Sequence, residues 1–281
     1  MEKLTTNAEN TWCPGCGNFG ILNAVQEAIM ALDEDGTGRE NIVMTTGIGC
    51  HGKMSDYLKQ SGIYTLHGRG GAVAQGIKIG NPDLKVIAFG GDGDSYGEGL
   101  AHTLFAAKRN SDITVIIHNN GAYSLTTGQA SPTSRRGFEG PSTPDGSYED
   151  PINPIALLLE IGASFVARGY SAEKKMLKEL IIAGIKHPGF ALIDVLQPSV
   201  VFSERQYKEI GKLIEKIEDI PDSREKAIVL SKAEDKLPIG IFYKEEKKPY
   251  HKALYGDFNP AVGHKNRDWC LKTVDKLIEK N

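Results

Sequence analysis

The sequence predicts an α/β fold, an open and mostly parallel sheet with helices on both faces, followed by a C-terminal extension. Three observations predict it. Short apolar runs rich in β-branched residues alternate with amphipathic, helix-patterned segments along the first 200 residues. These runs are continuously apolar, as buried strands are. Glycine-rich turns close several of them, at Gly47-Ile48-Gly49-Cys50, Gly90-Gly91 and Asn120-Gly121.

Taken in order, FGILNAVQEAIMAL after Asn18 has the spacing of a helix, and NIVMTTG over 41–47 that of a short strand. A helix is expected over 71–79. KVIAF from Lys85 is a buried strand expected to break at Gly90-Gly91, and EGLAHTLFAAKRN is helical. DITVIIHNNG supplies a further buried strand. A helix near 155–161, a strand FVARG, the amphipathic helix SAEKKMLKELIIAGIKH and a strand FALIDVL continue the alternation. From about Val200 the chain becomes charge-rich, with SERQYKEIGKLIEKIEDI expected as helix and IGIFY as strand. The expected division is a main domain over 1–200 and an extension over 201–281 that packs on that domain or on a partner. The polar stretch between Leu125 and Pro154 is longer than most connections in compact domains, and loops of that length usually serve a site.

Composition narrows the functions open to such a fold. The 281 residues carry 33 Lys and Arg against 36 Asp and Glu, a net charge of −3, so no global charge favours nucleic acid or an anionic membrane. No apolar run approaches the roughly 18 residues of a membrane-spanning helix. The opening MEKLTTNAEN lacks the apolar core of a secretory signal, and a cytoplasmic location is expected. Four cysteines, Cys13, Cys16, Cys50 and Cys270, are too few for a disulfide scaffold of this length and suggest thiols kept for metal or redox chemistry.

Open parallel sheets bind ligands beyond the carboxyl ends of their strands. There the chain carries Gly91-Asp92-Gly93-Asp94 and Asn119-Asn120-Gly121, with Asp92 and Asn120 28 residues apart. That is about the length of one crossover between neighbouring parallel strands, so both side chains can meet at one edge of the sheet. A carboxylate and an amide oxygen suit a hard cation such as magnesium, and the glycines allow close backbone approach to a diphosphate. A calcium loop counted from Asp92 fails, because its twelfth position is Thr103. The second constellation is Trp12-Cys13-Pro14-Gly15-Cys16-Gly17 with Cys50 on its glycine turn. A C-x-x-C pair with a third thiol fits structural zinc, a redox disulfide or an iron–sulfur cluster.

The GDG and NN segments resemble the motif of thiamine diphosphate enzymes, which implies magnesium on Asp92, Asn120 and the carbonyl of Ala122. WCPGCGNFGIL, GIGCHGKMSDY, LHGR, GIKIGNP, GGDGD, DITVIIHNNGAYSLTTGQASPTS and DVLQP together resemble the β subunit of 2-oxoacid:ferredoxin oxidoreductases, from about Trp12 to Pro198. The resemblance implies the diphosphate-binding type of the thiamine diphosphate fold. It also implies a [4Fe–4S] cluster held by Cys13, Cys16, Cys50 and a fourth cysteine just after the proline of Leu196-Gln197-Pro198, where this chain has Ser199. Ser199 or Cys270 is then the candidate fourth ligand. Gly49, His51, His67, Gly68, Arg69, Gly91, Gly93 and Asp94 are implied near the cofactor, as are Cys50 and Tyr123, Ser124, Leu125 and Thr126. Gln129 belongs to the same wrap. Lys53 and His67 are the implied catalytic groups, Lys53 for a substrate carboxylate.

The activity implied is oxidative decarboxylation of a 2-oxoacid, such as 2-oxoglutarate or pyruvate, to acyl-CoA, with electrons leaving through the cluster to ferredoxin. The length accommodates only the diphosphate half of such an enzyme, so an α subunit carrying the pyrimidine site is implied as partner. Two alternatives stay open at this point: a non-oxidative 2-oxoacid decarboxylase subunit without a cluster, and a non-catalytic scaffold held by zinc.

Overall fold

The computed structural model describes residues 4–202, 207–233 and 235–263, together with positions 271, 275, 278 and 279. Cys270 lies outside the described residues. The chain opens with α1 (Asn18–Glu34), whose buried Ile21, Val25, Ala28, Ile29 and Leu32 recur at helical spacing on one face. β1 (Ile42–Thr46), the short α2 (Met54–Tyr57), the edge strand β2 (Gly62–Tyr64) and α3 (Gly70–Gly80) follow. Next come β3 (Lys85–Gly91), a π-helical turn over Gly93–Glu98, α4 (Leu100–Arg109) and β4 (Thr114–Asn119). After the long loop, α5 (Pro154–Glu160), β5 (Phe165–Tyr170), α6 (Lys174–Lys186) and β6 (Ala191–Leu196) complete the alternation.

The strands form one eight-stranded sheet in the order β2-β1-β3-β4-β6-β5-β8-β7. β1 to β6 are parallel, and β8 (Leu237–Lys244) pairs antiparallel with β5. Alternate strand residues feed two cores. Ile87, Phe89, Ile116 and Ile193 pack under α1 and α6, while Val86, Ala88, Val115 and Leu192 pack under α3, α4 and α5. The α/β architecture expected from the alternating runs is the one observed.

Two local expectations change. Gly90 and Gly91 stay within β3, paired with Ile117 and His118, instead of ending the strand. Their role is clearance, since a Cβ on Gly90 would lie 1.9 Å from Ser95 Oγ, so the π-helical turn can fold back only over glycine. The charge-rich segment after Val200 is helical only over α7 (Tyr207–Leu213), its first residues lying outside the described set. Ile214–Lys216 turns into β7, parallel to the start of β8, where sheet pairing overrides local helix preference. α8 (Arg224–Ser231) packs on α5 and β8, and α9 (Tyr250–Tyr255) follows.

The order of strands locates the ligand crevice. After β1 the chain moves outward to β2 and then returns across β1 to β3, so the carboxyl ends of β1 and β3 diverge into loops that leave a gap between them. The loops after β4 and β6 close that gap on its far side.

Candidate active site

Five segments build one crevice: 48–51 after β1, His67 in the loop before α3, 91–94 at the end of β3, 120–126 after β4, and Gln197 after β6. Gly49, Cys50, His51, His67, Gly91, Asp92, Gly93, Asp94, Asn120, Ala122, Tyr123, Ser124, Leu125 and Thr126, all expected near a cofactor, line it together. Ile48, His118 and Gln197 line it too, and the sequence does not single them out. Arg69 does not line it; its guanidinium reaches the carbonyls of Gly68 and Glu98.

Asp92 is buried at the floor. Ser131 Oγ (2.5 Å) and Thr133 Oγ1 (2.7 Å) donate to its Oδ2, and the Asn120 backbone N–H approaches Oδ1 at 3.4 Å. None of these donors is charged. Burial pushes the Asp92 carboxyl above its usual range, with the hydroxyls opposing the shift. A buried carboxylate surrounded by neutral donors is stabilised most by a cation. Asn120 Oδ1, on the same crevice lining, accepts the Ala122 N–H at 3.0 Å, and the Ala122 carbonyl accepts from Ser124 N–H at 3.0 Å, each oxygen keeping a further lone pair. Ser131 and Thr133 belong to the long loop, whose contribution to the site is thus to hold Asp92 from behind. Removing both hydroxyls (Ser131→Ala with Thr133→Val) is expected to weaken ligand binding at this crevice by roughly 30-fold or more, since each of the two hydrogen bonds to a charged group contributes about 1 kcal/mol or more; titration calorimetry reads it directly.

Asp94 does a different job. Its Oδ1 accepts the N–H groups of Ile48 (3.0 Å) and Gly68 (2.8 Å), tying the loop after β1 and the loop before α3 to the end of β3. Burial raises its carboxyl, and the two amides oppose the shift. Gly47 is the clearance for this clamp, because a Cβ there would sit 2.1 Å from Asp94 Oδ2. Gly47→Ala is expected to cost about 1–3 kcal/mol of stability and to loosen cofactor binding with it, as a thermal melt with and without cofactor would record.

Two imidazoles face the crevice in neutral form. His118 Nδ1 donates to Asn18 Oδ1 at 2.7 Å, and burial lowers this ring's pKa to about 3. His51, 5.9 Å away ring to ring, is pushed well below the usual histidine range, by burial first and then by His118 and His67. His67 stands at the mouth, its Nδ1 3.0 Å from Glu98 Oε2 and its ring tilted against Tyr123. Burial, then the Glu98 charge, raises the Tyr123 hydroxyl well above its usual range. Outside the crevice lining, a buried Asp194 within β6 accepts from Tyr96 Oη and Asn119 Nδ2, each at 3.0 Å, and pairs with Arg168 at 3.3 Å.

The cysteines form a second pocket that shares a wall with the crevice. Cys13, Cys16, Cys50 and Ser199 all line it, with Thr11, Trp12, Asn18, Lys53 and Gln197. The Trp12 indole N–H donates to the Cys50 carbonyl at 2.7 Å and its ring packs edge-on against Phe19 and Tyr57, which fixes the C-x-x-C turn over the end of β1. Burial raises the Cys16 and Cys50 thiols, and the Lys53 charge opposes this at both. Lys53 Nζ donates to Thr11 Oγ1 at 2.8 Å, on the cysteine side of the wall. Among the described residues no three His, Cys, Asp or Glu side chains converge on one point as a single ion requires. Thiols arranged around a cavity fit a polynuclear cluster, whose irons sit at separate corners.

Asn18 Nδ2, His51 Nε2, His118 Nε2, Ser124 Oγ and Gln197 Oε1 are buried without a hydrogen-bond partner, and every one belongs to these two pockets. Gln60 Oε1 and His251 Nδ1 are orphaned elsewhere among the described residues, but the larger group gathers at these two pockets, as it would around a polar ligand.

Residues 47–195 match the family described as thiamine pyrophosphate enzyme, C-terminal TPP binding domain. The 2-oxoacid:ferredoxin oxidoreductase subunit beta of a Sulfolobus species is 45% identical over 96% of each chain. The 2-oxoglutarate synthase subunit KorB of Methanothermobacter marburgensis is 34% identical over 90% of this chain and 89% of its own. A solved 2-oxoglutarate:ferredoxin oxidoreductase from Magnetococcus marinus, with 2-oxoglutarate, coenzyme A and succinyl-CoA bound, superposes with a TM-score of 0.88 at 35% identity, covering 98% of this chain and 94% of that one. No helix among the described residues is long and apolar enough to cross a membrane. Likeness at this level over nearly the whole of both chains makes the protein a member of the β subunits of the 2-oxoacid:ferredoxin oxidoreductases.

Proposed function

We propose that this subunit, paired with an α subunit, performs thiamine diphosphate-dependent oxidative decarboxylation of a 2-oxoacid to acyl-CoA and carbon dioxide, passing the electrons through a [4Fe–4S] cluster to ferredoxin. The single observation that carries this reading is the shared wall. Cys50, Asn120, Ser124, Leu125 and Gln197 line both the crevice of Asp92 and the pocket of the cysteines, so electrons released in one have only a layer of side chains to cross.

Thiamine diphosphate, when bound, supplies the carbanion chemistry that releases carbon dioxide. The protein's own groups bind and orient it. Asp92, Asn120 and the Ala122 carbonyl hold magnesium, and Gly49, Gly91 and Gly93 let backbone approach the diphosphate. Asp94 and Gly68 lock the loops, while Tyr123, Ser124, Leu125 and Thr126 wrap the cofactor from the β4 side. His51 and His118, neutral at physiological pH, offer ring nitrogens as uncharged hydrogen-bond partners. His67, at the mouth of the crevice, is the catalytic candidate beside the cofactor, and Lys53, which lines the cysteine pocket and not the crevice, is the candidate for a substrate carboxylate reaching that side.

These roles fall within 1–200, leaving 201–281 to complete the sheet edge and meet partners. The α subunit supplies the pyrimidine half of the cofactor site. The names of the relatives support 2-oxoglutarate as one substrate, with pyruvate a further candidate. Unpaired Cys13, Cys16 and Cys50 suit a reducing compartment, in keeping with the cytoplasm.

The test is viologen or ferredoxin reduction by the anaerobic αβ complex with coenzyme A and either 2-oxoglutarate or pyruvate. The expected result is reduction that requires both coenzyme A and the oxoacid. Release of carbon dioxide with no electron acceptor reduced would instead identify a non-oxidative decarboxylase.

A further inference from the structure

We propose that Ser199 is the fourth protein ligand of the iron–sulfur cluster, bound through its deprotonated oxygen, an inference that rests on the cluster reading above. Ser199 follows Pro198 at the carboxyl end of β6 and lines the same pocket as Cys13, Cys16 and Cys50. It is 8% exposed. Its Oγ accepts two backbone N–H groups, from Phe202 at 3.0 Å and from Val201 at 3.2 Å. Two amides aimed at one oxygen favour its anionic form, as amide donors do for any bound anion.

The other hydroxyls around the pocket lack this support. Among the described residues Thr11 Oγ1 has no backbone amide donor, its partners being Lys53 Nζ (2.8 Å) and the Tyr57 hydroxyl (3.1 Å). Ser124 Oγ is buried with no donor at all, so a negative charge there would be uncompensated. On coordination the Ser199 Oγ–H bond breaks, an Fe–O bond forms, and the proton passes to the buffer; no electron changes hands. A hard alkoxide stabilises oxidised iron better than thiolate does, so this cluster takes up an electron at a more negative potential than its all-cysteine counterpart.

The experiment compares the anaerobic αβ complex with its Ser199→Ala, Ser199→Cys and Cys270→Ala variants by iron content, electron paramagnetic resonance and redox titration. Wild type is expected to hold about four irons per β chain. Ser199→Ala should lose one iron and show the signal of an oxidised three-iron cluster, Ser199→Cys should keep all of them with the midpoint shifted positive, and Cys270→Ala should keep the wild-type iron count. Thiamine diphosphate binding by each variant reports folding independently of the cluster. Unchanged iron, signal and midpoint in both Ser199 variants would overturn the assignment, as would loss of iron on replacing Cys270. A folded, cofactor-binding wild-type complex without iron would overturn the cluster reading itself and this assignment with it.

Discussion

Asp92→Asn is expected to lower magnesium-dependent affinity for thiamine diphosphate by roughly 100-fold to 1,000-fold, about 3–4 kcal/mol, while leaving the fold intact. The two effects separate because the substitution changes charge and not shape. In the protein without metal, the buried Asp92 carboxylate is held only by two hydroxyls and one backbone amide, and its ionised form carries a desolvation cost. An amide of the same shape relieves that cost and keeps contacts with Ser131 and Thr133. The melting temperature without cofactor should therefore stay level or rise, and the stabilisation added by magnesium with thiamine diphosphate should largely vanish. Cofactor affinity equal to wild type would remove Asp92 from the metal site.

Cys16→Ala is expected to abolish ferredoxin reduction together with the cluster's iron, while thiamine diphosphate affinity stays within about twofold of wild type. Cys16 lines the cysteine pocket and not the crevice, and its thiol meets the Gln197 amide at 3.6 Å. Cys50→Ala should be less clean, because the Cys50 side chain lines both pockets. Full iron content and full electron transfer in Cys16→Ala would exclude this thiol as a ligand.

Several parts of the site are legible in the amino-acid sequence alone. Asp92 and Asn120 end adjacent parallel strands, and a spacing of 28 residues is what one crossover requires, so their meeting is implicit in the strand pattern. Cys50 on its glycine turn is likewise readable as facing the C-x-x-C pair. Ser131 and Thr133 are not. A hydroxyl in a long polar loop has no periodicity to say where it points, and only the folded loop brings both to Asp92.

His118 is hidden for a different reason. It sits inside an apolar run and counts as a strand residue, and its partner Asn18 lies 100 residues earlier, just after the C-x-x-C turn. Beyond Val200 local propensity misleads, because a helix-patterned segment at the edge of a sheet gains more by pairing Ile214–Lys216 with β8 than by extending a helix. The clearance roles of Gly47 and Gly90 are equally out of reach, since each depends on a side chain more than four residues away that the turn folds back upon.

In the proposed arrangement a thiamine diphosphate crevice and an iron–sulfur cluster meet across the wall made by Cys50, Asn120, Ser124, Leu125 and Gln197. Its most direct test is freeze-quench electron paramagnetic resonance of the anaerobic αβ complex after adding a 2-oxoacid, with and without thiamine diphosphate. The expected result is a reduced-cluster signal that appears only when both oxoacid and cofactor are present. A complex that consumes the oxoacid while showing no cluster signal would contradict it.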